Sequence, residues 1–178
     1  MSSKSKLPPL LMFIPRYIDG SGDITELVTT EGAALRDYRG IRSVRAALCR
    51  QHAVDYTALR SICREMCGPG VTPLLLAPGY TLVPVKTREA MFSGDPCYGY
   101  VNLALVTAVQ PLNEGKYRAE IKTAVKNIGV KTLTSAGTVK QNLRRAELLQ
   151  RCHWPGDISH RLQRQELLKL ILKTINLN

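Results

Sequence analysis

The spacing of apolar residues after Gly40 constrains the fold of this chain more than any other feature. Ile41, Val44 and Leu48 recur at intervals of three and four residues, which places them on one face of a helix. Because an amphipathic helix must cover its apolar face, this segment requires a sheet or another helix to pack against. We therefore expect a helix to begin near Ile41 and to lie on a larger framework.

A second helix is bounded by residues that favour its two ends. Asp55 is a good N-cap, because its side chain can accept hydrogen bonds from the first free amides. Gly68-Pro69-Gly70 ends the helix, since glycine suits the position after the last turn and proline cannot continue it. Its spacing predicts an inner face made of Tyr56, Leu59, Ile62 and Met66.

The same two helices carry an unusual set of basic side chains. From Arg36 to Arg64 the chain holds seven arginines and no lysine. A guanidinium group binds phosphate in a bidentate manner and enters nucleic-acid grooves, whereas ordinary helix surfaces mix lysine with glutamate. Arg45 is predicted at the boundary of the apolar face of the first helix, with Arg42 and Arg50 on the opposite side. The candidate nucleic-acid contacts of this segment are Arg42, Arg45, Arg50, Arg60 and Arg64.

Short β-type runs separated by turn residues flank the helical segment on both sides. We predict an edge strand at 10–18, because Pro15 interrupts it, and a hairpin partner at 24–30. Further strands are predicted at 72–77, 80–85, 98–109, 117–125 and 130–133, with 101–106 buried. The fold class expected is α+β, with antiparallel strands around two central arginine-rich helices.

Two more helices are predicted towards the C-terminus. A basic helix near 135–152 places Lys140, Arg144 and Arg151 in one outward stripe. Beyond Trp154 a C-terminal helix is predicted at 154–178, either docked on the domain or used for oligomerisation. We therefore divide the chain into a flexible N-terminal tail (1–10), a DNA-binding α+β domain (11–153) and this C-terminal helix.

Composition favours a polyanionic partner in a reducing compartment. The chain has 25 Lys and Arg against 14 Asp and Glu, and its net charge is +11. The five cysteines are odd in number and follow no secretion-type leader, and no apolar run approaches the roughly 20 residues of a membrane span. These features predict a cytoplasmic protein that does not enter the membrane.

Several short segments agree, in order and spacing, with one known family. The segments are Cys49 followed by Tyr56 and Arg60, Met66-Cys67-Gly68, Val71-Thr72-Pro73-Leu74, Leu82-Val83-Pro84, Cys97-Tyr98, and Ser135 to Leu149 with Asn142, Arg144 and Arg145. Over about residues 11–150 the chain resembles the ComK-like family, the competence transcription factors of Gram-positive bacteria. The C-terminal helix lies outside this resemblance.

The resemblance implies a nucleoid-associated activator, without enzymatic activity or cofactor, that reads A/T-rich promoter DNA through the minor groove and the phosphate backbone. It further implies a homo-oligomer, contact with RNA polymerase, regulated proteolysis through an adaptor, and a role in the establishment of competence for transformation. The full set of predicted DNA contacts is Arg42, Arg45, Arg50, Arg60, Arg64, Lys140, Arg144, Arg145 and Arg151.

The alternative is a small zinc-containing or basic RNA- or protein-interaction module without catalytic activity. Cys49, His52, Cys63 and Cys67 are zinc-type ligands close in sequence, although they lack the usual CxxC spacing. A cysteine hydrolase is disfavoured, because Cys152 and His153 are adjacent and adjacent side chains on a helix point apart. No phosphate loop or dinucleotide fingerprint occurs in the sequence.

Overall fold

Two antiparallel sheets form the framework of the computed structural model, which describes residues 6–20, 22–125 and 127–154. One sheet has six strands in the order β3-β2-β1-β6-β5-β4, and the other has three in the order β7-β8-β9. The strands are β1 (Leu10–Ile18), β2 (Gly22–Thr29), β3 (Ala34–Asp37), β4 (Leu74–Ala77), β5 (Tyr80–Lys86), β6 (Tyr98–Asn102), β7 (Val106–Glu114), β8 (Tyr117–Thr123) and β9 (Gly129–Thr132). The predicted α+β class with antiparallel strands is confirmed.

The prediction that 10–18 is an edge strand is wrong. β1 lies inside the six-stranded sheet, where Met12 and Phe13 pair with Val101 and Tyr100 of β6 while the other edge of β1 pairs with β2. Pro15 is tolerated because the ladder to β6 stops at Phe13, so no bond to that strand is lost. A Cβ at Gly99 would lie 3.0 Å from the carbonyl oxygen of Phe13, so a larger residue would push the two strands slightly apart at this close approach.

The predicted single strand at 98–109 is divided between the two sheets. β6 ends at Asn102, a 3-10 turn spans Leu103–Leu105, and β7 begins the second sheet. Asn102 causes the break: its Oδ1 accepts a hydrogen bond from the amide of Ala104 at 3.1 Å, and its Nδ2 donates to the carbonyl of Leu10. Contrary to the prediction, only the first two residues of 101–106 are buried. The short strand β3 was not predicted at all.

Three helices complete the described part of the chain: α1 (Ile41–Gln51), α2 (Tyr56–Cys67) and α3 (Ala136–His153). α3 confirms the basic helix predicted near 135–152, and Ser135 caps it by accepting a hydrogen bond from the amide of Thr138. The predicted C-terminal helix lies outside the described residues, beyond Trp154. Across the described ranges, no helix combines the length and apolar character that a membrane crossing requires.

The helices cover the two faces of the larger sheet. α1 packs on one face through Ile41, Val44 and Leu48, the three residues that the spacing selected. α3 and the three-stranded sheet cover the other face, where Val139 and Leu143 meet Ile121 and residues of β1 and β5. α2 lies at the β4 edge and joins α3 through Leu59, Cys63, Leu75 and Leu149. Residues of α1 and α2 line one cavity with Pro84 of β5 and Tyr100 of β6, and residues of α2 and α3 line a second cavity with Pro84.

The inner face of α2 differs from the predicted one. Leu59 and Cys63 are buried, whereas Ile62 and Met66 are 38% and 45% exposed. Compared with the predicted orientation, the helix is rotated about its axis so that the side bearing Leu59 and Cys63 packs against Leu149 of α3. Spacing alone could not distinguish these two faces, because both carry apolar residues at helical intervals.

The predicted flexible tail is too long at its C-terminal end. Leu7 exchanges two hydrogen bonds with the side chain of Gln51 at the end of α1, at 2.9 and 3.0 Å. Leu10 is fully buried in the core beneath α1. The domain therefore begins several residues before residue 11.

Asp55→Ala is expected to lower the free energy of unfolding by about 1 kcal/mol. The Asp55 Oδ1 accepts hydrogen bonds from the amides of Thr57 and Ala58 at 2.8 and 3.1 Å, and alanine would leave both donors without it. Chemical denaturation measures the loss. Asp55→Asn is the matched control and should retain most of the stability, since asparagine caps equally well; an equal loss in both variants would contradict the capping role.

Candidate nucleic-acid interface

An open cleft of ≈ 340 Å³ lies between α1, α2 and the loop that leads into β6. We call it the arginine cleft, because Arg42 and Arg45 of α1 and Arg60 of α2 line it together. Its other lining residues are Ile41, Tyr56, Gly70, Val71, Thr72, Pro84, Asp95, Pro96, Cys97, Tyr98 and Tyr100. The cleft thus combines guanidinium groups with three phenol rings, a surface suited to phosphates and sugar or base edges.

Arg45 is held in place by the floor of the cleft. Its Cζ lies 4.0 Å from the ring centroid of Tyr56, and its Nη1 lies 3.3 Å from the hydroxyl of Tyr56 and 3.5 Å from that of Tyr100. Burial raises the pKa of Tyr100 to about 12, against the opposing hydrogen bond from Arg45, so this phenol stays neutral and acts as an acceptor. The ring of Tyr100 in turn stacks on Phe13, with centroids 4.7 Å apart.

Arg60 stands where the arginine cleft meets a second, narrower cavity. This narrow cavity of ≈ 40 Å³ is lined by α2, α3 and the segment after α2. The residues that line both spaces are Arg60, Gly70, Val71, Thr72 and Pro84. Arg64, one turn further along α2, lines the narrow cavity but not the arginine cleft. Within the described residues neither Arg60 nor Arg64 forms an ion pair, and both are exposed. Their charges are therefore available to an anionic ligand.

Arg145 reaches the same region from α3 but already has partners. Its Nη2 donates to the carbonyl oxygens of Cys67, Gly68 and Pro69 at 2.6, 3.2 and 3.3 Å, which satisfies acceptors at the C-terminal end of α2. A Cβ at Gly70, whose φ is +155°, would lie 2.9 Å from Nη1 of Arg145. The guanidinium group therefore fixes α2 relative to α3 and adds positive potential to the narrow cavity.

The charge around the two cavities is strongly one-sided. Five arginines line them, Arg42, Arg45, Arg60, Arg64 and Arg145, against one carboxylate, that of Asp95. The Oδ2 of Asp95 accepts hydrogen bonds from the backbone amides of Met91 and Phe92, so its charge is partly satisfied within its own loop. Low-dielectric walls around one sign of charge concentrate the electric field towards an anionic ligand.

The other predicted contacts lie outside the two cavities. Arg50 is exposed in the last turn of α1, and Arg144 and Arg151 are exposed on α3. Lys140 lines a groove against β7, whereas Asn142 lines the narrow cavity. Lys140 and Asn142 are two residues apart, so their side chains diverge by about 160° around the helix. Because Asn142 faces α2 across the narrow cavity, the stripe formed by Lys140, Arg144 and Arg151 faces away from α2. The structure gathers five of the nine predicted residues and separates the remaining four.

The proposed zinc ligands are not brought together. Cys49 is buried on the inner face of α1, Cys63 is buried between α2 and α3, and the His52 ring lies edge-on to Tyr80. Burial raises the pKa of Cys63 to about 11, so this thiol stays protonated and packs as a small apolar side chain. Across residues 6–20, 22–125 and 127–154, no three His, Cys, Asp or Glu side chains form a metal-binding group.

Segments far apart in the sequence meet at these cavities. Tyr56, Val71, Pro84 and Tyr98 line the arginine cleft, and Asn142 lines the narrow cavity; each belongs to one of the segments on which the family resemblance rests. Their individual roles were not predicted, because helical and strand periodicity carry no information on which loops meet. In the sequence, only the order and spacing of these segments pointed to the residues that line the two cavities.

Comparisons with known proteins add no relative: no family model matches the chain, and no curated protein or solved structure matches it significantly.

Proposed function

We propose that this protein is a sequence-specific regulator of transcription that binds double-stranded DNA through the arginine cleft. The observation that carries the proposal is the gathering of Arg42, Arg45 and Arg60 from two helices into one open cleft with a single carboxylate. Arginines that approach phosphates displace condensed counterions, which supplies affinity for any nucleic acid. Separate helices that converge on one cleft additionally present a defined geometry, which a diffuse basic surface lacks.

The minor groove of A/T-rich DNA is the target that fits these residues best. A narrow A-tract groove has an enhanced negative potential, and proteins recognise it by inserting arginine side chains. Arg60 is exposed and forms no ion pair with another described residue, so we assign its guanidinium group to the groove, while Arg45, held by Tyr56 and Tyr100, adds positive potential at the floor of the cleft. Such binding agrees with what the resemblance implies, a promoter-binding activator of the competence type that acts on the nucleoid in the cytoplasm.

Further partners belong to the same proposal. An activator of this type would act as a homo-oligomer, contact RNA polymerase and be removed through a proteolytic adaptor. The predicted C-terminal helix at 154–178 is the segment that we assign to docking or oligomerisation. These partners rest on the resemblance of the cleft-lining segments.

The test is a comparison of three ligands at two salt concentrations: an A/T-rich duplex, a G/C-rich duplex of equal length, and a double-stranded RNA of equal length. We expect the A/T-rich duplex to bind at least about tenfold more tightly than the other two, since one well-read base pair contributes roughly 1–3 kcal/mol. Fluorescence anisotropy titrations measure the three affinities.

Equal affinities for all three ligands would contradict specific regulation and favour a basic interaction module. A preference for RNA would contradict the DNA proposal directly. If the A/T-rich duplex binds most tightly, as expected, selection of bound duplexes from a random pool will identify the promoter sequence that the wild-type protein prefers.

A further inference from the structure

The loop between β5 and β6 displays two large apolar side chains to solvent. Met91 is 60% exposed and Phe92 is 68% exposed, and the two are adjacent in sequence. Phe92 is one of only two phenylalanines in the chain, and the other, Phe13, is completely buried. An adjacent methionine and phenylalanine at the tip of a loop form an exposed apolar patch that the core does not explain.

The loop is held rigidly in this conformation. The Oδ2 of Asp95 accepts hydrogen bonds from the amides of Met91 and Phe92 at 3.0 and 2.8 Å, and the amide of Asp95 donates to the carbonyl of Phe92. Arg88 closes its base by donating to the carbonyl of Pro96 at 2.8 Å and by pairing with Asp23. The apolar tip is therefore pre-organised, and its insertion into a partner would cost little conformational entropy.

The tip adjoins the arginine cleft. Arg42, which lines the cleft, donates from Nη2 to the carbonyl of Gly94 at 2.8 Å. Gly94 is two residues from Phe92, so at most about 7 Å separates their Cα atoms. The following residues of the same loop, Asp95 to Tyr98, form one wall of the cleft. One ligand can therefore touch the arginines and the apolar tip at the same time.

We infer that Met91 and Phe92 form a wedge that inserts between two base pairs when duplex DNA occupies the arginine cleft. The inference rests on the proposed function and extends it to the deformation of the DNA. Minor-groove proteins place exposed Phe or Met side chains between base steps beside groove-binding arginines, and pyrimidine–purine steps unstack most easily. The charge beside the tip is complementary to phosphate, and the partner is the A/T-rich duplex of the proposed function, whose TA steps unstack easily.

The experiment uses the full chain and an A/T-rich duplex in which 2-aminopurine replaces the adenine of a central TA step. Wild-type protein should increase the 2-aminopurine fluorescence, because the base loses its stacking partner. Phe92→Ala should remove most of this increase and weaken binding roughly tenfold, since stacking on an aromatic ring accounts for an effect of this order. The slope of log affinity against log salt should stay the same, because the phosphate contacts are unchanged.

Two control variants define the result. Phe92→Leu keeps an apolar wedge and should retain most of the fluorescence increase. Leu148→Ala removes an apolar side chain of α3 that is 52% exposed and lines neither the arginine cleft nor the narrow cavity, and it should behave as wild type.

Fluorescence anisotropy recorded in the same titration measures duplex binding independently of base unstacking. It therefore separates the proposed DNA binding from the proposed wedge. Absence of duplex binding by the wild-type protein would reject the proposed function. Normal binding with an equal fluorescence increase for wild type and Phe92→Ala would reject the wedge alone. Loss of binding of Phe92→Ala to phosphatidylserine vesicles, with unchanged duplex fluorescence, would also overturn the wedge and assign the tip to a lipid surface.

Discussion

Replacing Phe13 by alanine is expected to lower the free energy of unfolding by about 3–5 kcal/mol, the range for a fully buried aromatic side chain. Phe13 is 0% exposed and lies at the centre of the larger sheet, where α1 covers it. Its ring stacks on Tyr100 at 4.7 Å, so the variant loses the transfer energy of the ring and leaves a cavity beneath the arginine cleft. Chemical denaturation gives the change, and we expect the melting temperature to fall by roughly 10 °C.

The second phenylalanine supplies the matched control. Phe92→Ala makes the same chemical change at an exposed loop position, where the expected effect on stability is within about 0.5 kcal/mol. A change below about 1 kcal/mol in Phe13→Ala would contradict the packing of β1 against α1 described above. A conservative Phe13→Leu variant should lie between the two alanine variants.

The double variant Arg42→Ala/Arg60→Ala is expected to weaken binding to A/T-rich duplex about 100-fold. A hydrogen bond to a charged group contributes roughly 1.5–3 kcal/mol, and two losses at the lower end of this range, about 3 kcal/mol together, correspond to about this factor. Each lost phosphate contact also lowers the dependence of log affinity on log salt by about one, so the slope should decrease by about two. Both arginines are exposed, and the folded state should remain as stable as wild type.

A charge-matched control tests whether position matters. Arg118→Ala/Lys122→Ala removes the same two positive charges from β8, where both side chains are exposed and line neither the arginine cleft nor the narrow cavity. We expect it to bind with no more than a few-fold loss. If this control loses as much affinity as the cleft variant, binding depends on net charge and the arginine cleft is not the site.

Elements that depend on neighbouring residues were predicted well. The start of α1 at Ile41, the cap at Asp55 and the end of α2 before Gly68 agree with the structure. Each depends on hydrogen bonds or side-chain spacing within about four residues, so the local residue types are sufficient to predict it. The hairpin across Pro78-Gly79 was predicted for the same reason.

The candidate site was predicted only in part. Arg42, Arg45 and Arg60 were selected because they are arginines on helices, and the structure places all three in one cleft. Arg145 was selected through the family resemblance of the segment from Ser135 to Leu149, yet its guanidinium group caps α2. The sequence contains no sign of this role, because the acceptors lie more than 70 residues away.

By itself the sequence determined α1, α2, α3, most of the strands and the strongly basic character of the helical surface, because periodicity, capping and charge are local properties. Only the tertiary structure decided that β1 lies inside its sheet, that Ile62 faces solvent, and that the loop bearing Phe92 borders the arginines. These outcomes depend on strand pairing and packing between distant segments. The free energy of each such contact depends on how the whole core packs. A helix with the same apolar spacing can bury either of two faces, and only its packing partners decide which one.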